Sequence, residues 1–454
     1  MNALIRADLR ASLGLWAWTF LVVVVGSACG AGVLTSISTA TAHVATAPAP
    51  DAREGLEALG ANIVAWTLCS AAGVVGATAG LALSTRSREH ALWVVLGVPR
   101  HHVRWVVLGE LAVVGALGGL VGYPLSLGVA AVSLDQWSMI GLARPGLLPS
   151  PQWWHPLAAV LLGVAACVWG GWGGARRASR MPEMAALRES VAPKARVGWV
   201  KAAMAILLAV SAIMLLAMMV APGMFTVPDD IAMSDAETRG AAALAVALSL
   251  LTAALLVGGW TLRPLMHAWT ARVPDLDPAW HLAREACRAR SARSITTVLP
   301  FALTLSMLGV LSGGGNAVSE GEVTLTEMLI CLGWVLLIAW TGGVAVIALT
   351  GRQRGRDAAL AVVAGADDAT IARATLYEGL IYATTAILFG LGTMIATVAF
   401  VGLASGIPLI TALARAPWGL FAGACALTAL TTCLAVAVPA HRAGRMSVVD
   451  ALRG

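Results

Sequence analysis

Charge is what this chain has least of: Asp, Glu, Lys and Arg make up only 12% of its 454 residues, and a soluble globular chain carries roughly twice that share. A water-soluble fold is thereby excluded. Lysine is almost missing. The two present, Lys194 and Lys201, do not close a glycine-rich phosphate loop, so the chain does not hold ATP by that route. All seven cysteines fall in apolar runs or on the arginine-rich side, which excludes a disulfide on the opposite side. Their spacing suits no metal, and His101-His102 are adjacent rather than at the helical spacing that two ligands need. No series of charges runs along any apolar run, as an ion-coupled carrier would require. No catalytic constellation is present, and the chain is not expected to be an enzyme.

What is there is hydrocarbon. Hydrophobic residues are 59% of the chain and the mean hydropathy is +0.82. About ten runs are long enough to cross a bilayer: 14–36, 62–84, 105–131, 155–174, 199–221, 240–262, 295–314, 326–350, 374–403 and 417–438. This predicts an all-α polytopic membrane protein. With the N-terminus inside, 26 of the 30 basic residues fall on inner segments, leaving Arg53, Arg144, Arg239 and Arg415 outside. Both termini are therefore expected in the cytoplasm, and the net charge of +6 needs no nucleic-acid partner, only the positive-inside bias and anionic lipid. The outer segments are short, the longest covering about 37–61, too little for a large outer domain. Trp137, Trp153 and Trp154 suit a membrane-interface belt.

The chain also repeats itself. Residues 86–110 and 354–378 align at a shift of about 268, so that Arg86 meets Arg354, Arg88 meets Arg356, Glu89 meets Asp357, Gly97 meets Gly365 and Glu110 meets Glu378. Residues 176–188 align with 441–453 at about 265. Leu4, Arg6 and Arg10 match Leu282, Arg284 and Arg288, which predicts a basic helix lying on the inner leaflet before each repeat, apolar side down. Each repeat starts inside and has four spans, so the two are parallel repeats. The expected division is a first four-helix module over 1–190, two linker helices over 191–262 and a second module over 263–454.

Within each module the matched inner segment reads as a short helix, a glycine turn at Gly97 or Gly365, and re-entry into the membrane. Glu110 and Glu378 then sit just inside a span. A carboxylate there is costly unless it reaches the headgroups or a neighbouring arginine; a gating role and a proton-carrying role are the other readings. Gly118 and Gly122 match Ala386 and Gly390. Small residues four apart let helices approach closely, and this pair is also a candidate contact between the halves.

Together these motifs resemble the FtsX-like permease family of ABC transporters. The segments that carry the resemblance are Arg88-Glu89…Leu96-Gly97…Glu110 and Arg356-Asp357…Ala364-Gly365…Glu378. The module ends Arg180-Met181-Pro182…Ala186-Leu187-Arg188 and Arg445-Met446-Ser447…Ala451-Leu452-Arg453 add to it, the second with serine in place of proline. The ten-span, two-module form is similar to the bacitracin-export type and departs from it, and from the MacB-like branch, in lacking a large outer domain. The resemblance implies a permease subunit in a bacterial plasma membrane. It would work with two cytosolic ABC ATPases that bind ATP and Mg, and it would export an amphiphilic substrate such as an antimicrobial peptide, an antibiotic or a lipid. It implies coupling contacts at Arg86, Arg88, Glu89, Gly97, Arg354, Arg356, Asp357 and Gly365, with no cofactor in this chain. A subunit that transmits force to an outer partner and an ion-coupled carrier are the competing readings.

Overall fold

The computed structural model describes residues 13–44, 50–86, 92–139, 141, 143–178, 199–220, 235–275, 277–318, 325–363 and 365–443. The elements are α1 (Leu13–Val44), α2 (Pro50–Thr85), α3 (Arg100–Met139), α4 (His155–Ala178), α5 (Trp199–Val220), α6 (Asp235–Leu256), α7 (Gly258–Arg272), α8 (Pro278–Ala289), α9 (Ser291–Val318), α10 (Leu325–Val363), α11 (Asp368–Ala404), α12 (Leu409–Ala414) and α13 (Trp418–Ala443). The protein is all-helical and polytopic. Nine of these helices are long and apolar enough to cross a membrane among the described residues, and α5 adds a shorter apolar stretch, Ala202–Met214. Helices are the solution that hydrocarbon imposes, because each backbone N–H and C=O must find its partner inside the segment.

The chain divides into two compact units. Unit 1 comprises Met1–Ala192 with Leu329–Thr350. Its four repeat helices close a ring in which α1 meets α3, α3 meets α4, α4 meets α2 and α2 meets α1. The seams are built from small residues. A methyl group placed on Gly115 would stand 2.7 Å from the Gly163 carbonyl oxygen, so α3 and α4 touch backbone to backbone. Such approach multiplies dispersion contacts where there is no water to drive association. Between the helices lie Val22, Val23, Val75, Leu111 and Cys167, all fully buried.

The middle of α10 also belongs to unit 1. Ile338 and Ala345 join that core, and Trp334 donates from Nε1 to Ser133 Oγ of α3 at 3.0 Å. Near the end of the ring opposite the arginine-rich segments, Ile330 packs with Val33, Ile63, Leu134 and Trp137. Trp137 is therefore a core residue, not part of an interface belt, whereas Trp153 is 87% exposed and Trp154 half-buried.

Unit 2 comprises Pro193–Met328 with Gly351–Gly454. Here α11 packs on α9, α13 and α8, while α6 lies against α5, α9 and α11. The helices over 191–262, read as linkers from the sequence, pack within this unit. The expected span 240–262 is two elements. The backbone turns at Val257 (φ −98°, ψ 25°), and α7 starts at Gly258.

α8 is the basic amphipathic helix expected before the second repeat, but its apolar face is turned to protein. Ala279, Trp280, Ala283 and Cys287 are buried, whereas Leu282 is exposed. Trp280 packs edge-on against Tyr377 of α11 and at 6.0 Å from Trp269 of α7. Aromatic partners of complementary shape outcompete lipid for such a face. The expected counterpart around Leu4, Arg6 and Arg10 lies outside the described residues.

Candidate functional site

The two matched inner segments end in the same backbone device. In unit 1 the helical residues 92–95 stop at Gly97, which has φ +93°. Gly97 N–H donates to the Val94 carbonyl at 3.0 Å, and Val98 N–H reaches back to Trp93 O at 3.0 Å. In unit 2, α10 stops at Gly365, φ +95°. Gly365 N–H donates to Val362 O at 2.9 Å, and Ala366 N–H to Ala361 O at 2.9 Å. Both are Schellman caps, which need a left-handed residue at the turn and therefore favour glycine.

These turns carry exposed apolar side chains. Leu96 is 81% exposed and Val363 67%, with Leu92, Val95 and Leu360 also exposed. Each turn sits on the side of its unit where the arginines collect. The chain then re-enters α3 after Pro99. In unit 2 it re-enters α11 at the matched position Asp367, whose carboxylate accepts from Thr370 N–H at 3.3 Å. That hydrogen bond holds the Asp367 carboxyl below the ordinary carboxylate range.

Arg86 and Glu110 form the most buried charged pair of unit 1 among the described residues. Arg86 Nη1 lies 3.5 Å from Glu110 Oε2, with side chains only 4% and 0% exposed. Of the three readings of Glu110, the geometry provides the neighbouring arginine. It also takes Arg86 off the surface, so Arg86 braces the end of α2 against α3 and is not available to a docking partner. In unit 2 the matched Glu378 is half-buried and accepts from Tyr382 Oη, one helical turn along α11.

Arg88 and Glu89 lie outside the described residues, and Arg354, Arg356 and Asp357 lie on α10 where only the backbone is described. The module ends from Arg180 to Arg188 and from Arg445 to Arg453 also lie outside. Gly118 and Gly122 face α1: a methyl on Gly118 would meet Val23 Cγ1 at 2.7 Å, and one on Gly122 the Val24 carbonyl at 2.8 Å. Ser27 Oγ donates to Gly118 O across this seam at 3.2 Å. Ala386 is buried, and a methyl on Gly390 would meet Leu305 Cβ of α9 at 2.7 Å. Gly118, Gly122 and Gly390 thus each lie in a seam inside their own unit.

Sequence reasoning passed over Asp277. It caps α8 by accepting from Ala279 N–H at 2.9 Å. Its other oxygen accepts from Tyr377 Oη at 3.1 Å and faces Arg373 Nη1 at 3.6 Å. One carboxylate therefore ties α8 to the first three turns of α11, at Arg373 and Tyr377. The Asp277-Pro278 pair was the available signal, since Asp followed by Pro marks a helix start.

Residues 59–182 match the model of the FtsX-like permease C-terminal family. Over this stretch the chain is similar to FtsX-like permeases. The matched stretch takes in Arg86, Gly97, Glu110, Gly118 and Gly122, that is, the first turn, the buried pair and the α1–α3 seam. A comparison with curated proteins gives no match.

Proposed function

We propose that the chain is the membrane subunit of an ABC transporter in a bacterial plasma membrane, with its arginine-rich side in the cytoplasm. Separate ATPase subunits, two for each permease, dock on the Gly97 and Gly365 turns and hold ATP and Mg. Their closure on ATP is passed through α3 and α11, and an amphiphilic substrate is moved outward. The chain itself hydrolyses nothing. The observation that carries this reading is the pair of exposed, backbone-matched turns within a chain that is similar to FtsX-like permeases over residues 59–182. Rigid caps hold apolar side chains out of the membrane and into water, where only a partner would cover them. Glu89 and Asp357, with Arg88, Arg354 and Arg356 beside them, supply the polar rim of that contact.

The test is co-purification of the chain with its candidate ATPase, in wild type and in Leu96→Asp with Val363→Asp. Binding at about two ATPases per permease, lost in the double variant, is the expected result. Glu89→Arg with Asp357→Arg should weaken binding on its own. An ATPase that binds wild type and double variant alike would move the docking site elsewhere. No binding to wild type would remove the ABC assignment.

A further inference from the structure

Unit 1 holds a second arginine near its inner end, in a setting opposite to that of Arg86. The exposed face of α4 is an apolar stripe at helical spacing: Leu157, Leu161, Trp169 and Trp172. Such a stripe faces lipid, and its tryptophans mark the level of the headgroups. Arg104 of the neighbouring α3 lies over the second of these rings, with Cζ 4.2 Å from the Trp172 centroid and 5.7 Å from that of Trp105. Trp105 and Trp172 are both exposed. Arg86 has Glu110, but Arg104 has no carboxylate within ion-pair distance among the described residues, and its Nε is buried without a hydrogen-bond partner. The matched position in the second repeat is Ala372, so this is a feature of one copy only.

An aromatic face offsets part of the cost of holding a guanidinium at a membrane surface. It also fixes the plane of the group, so its N–H fork is presented in one orientation. That fork fits the oxygens of a phosphate bidentately, and lipid phosphates lie at the depth that the tryptophans mark. We propose that Arg104, framed by Trp105 and Trp172, binds the phosphate of an anionic phospholipid in the leaflet at the arginine-rich end. A headgroup that carries its own quaternary ammonium fits poorly, because the aromatic faces that would take that cation are occupied by Arg104.

The test uses the full chain purified in detergent. Lipid retention is read by native mass spectrometry after exposure to phosphatidylglycerol, to phosphatidylcholine, or to inorganic phosphate alone. Wild type should retain phosphatidylglycerol in preference to phosphatidylcholine. Arg104→Gln should lower phosphatidylglycerol retention about tenfold, the effect of losing one charged hydrogen-bonding group, and leave phosphatidylcholine unchanged. Trp172→Leu should lower it less. Equal retention by Arg104→Gln and wild type would overturn the site. Displacement of the lipid by millimolar inorganic phosphate would overturn the lipid assignment in favour of a free anion. If Arg104→Gln does not fold, Arg104→Lys keeps the charge without the fork, and undiminished retention there would equally sink the proposal. None of these readings involves an ATPase, so they stand apart from the docking experiment.

Discussion

Glu110 and Glu378 occupy the same place in the two repeats and are accommodated by different chemistry. In unit 1 the carboxylate is sealed from solvent and met by Arg86 at 3.5 Å. In unit 2 it stays half-buried and takes a hydroxyl from Tyr382. The turns just before them, at Gly97 and Gly365, are by contrast the same to within a few tenths of an ångström in their hydrogen bonds. A backbone cap has one solution, because only a left-handed residue closes it. A carboxylate has several, because any donor or water can satisfy it. In this chain the two copies differ where the requirement is chemical and agree where it is geometric.

The largest expected effect breaks that comparison at the carboxylates. Arg86→Ala leaves Glu110 buried without its cation and should cost about 3–5 kcal/mol, read as a drop in the midpoint of thermal unfolding in detergent. The double variant Arg86→Met with Glu110→Leu should recover most of it. In unit 2, Tyr382→Phe should cost only about 1 kcal/mol. Equal losses in the two units would mean that Glu110 is solvated after all.

Next come the turns. Gly97→Ala and Gly365→Ala each force an alanine to φ near +93° or +95°, at about 1–2 kcal/mol apiece. The two costs should match, and ATPase binding should fall with either. A loss at one turn alone would show that the partner reads only one repeat.

Asp277→Ala removes a helix cap and the acceptor for Tyr377 together, and should cost about 1–2 kcal/mol. It has no described equivalent in unit 1, so it tests what is particular to unit 2. Stimulated ATPase activity should fall further than the unfolding midpoint does, if α8 helps carry motion into α11.

The smallest effect is at Asp367, where only unit 2 has a side-chain cap. Its carboxyl is held below the ordinary range by the Thr370 hydrogen bond. The cap therefore contributes fully above about pH 4 and is lost as pH falls through the lowered value. The difference in unfolding midpoint between wild type and Asp367→Ala should be present at pH 6 and shrink below pH 4. A difference independent of pH would place the effect in the helix start and not in the charge.

Much of this was legible from spacing. The apolar runs located the spans because a bilayer sets their length, and the glycines located the turns because positive φ is a local demand. Glu110 was readable as a carboxylate in need of an arginine, but the identity of that arginine depended on how α2 meets α3. Trp137 shows the limit: a tryptophan near a span end reads as an interface anchor, and here it is buried in a cluster with Val33, Ile63, Leu134 and Ile330.

By itself the sequence determined an all-helical, multi-pass chain with a capped glycine turn in each of its two matched inner segments. Those features follow from local rules: hydrophobic length, left-handed glycine, the side on which arginines collect. Only the tertiary structure decided that the middle of α10 belongs to the first unit, that α8 lies on protein, that Arg86 is spent on Glu110, and that Arg104 is framed by tryptophan. Each of these is a choice among partners of nearly equal hydrophobicity. In a chain this apolar, hydropathy cannot rank them, and close packing between small residues and pairing of the few charges settle the matter.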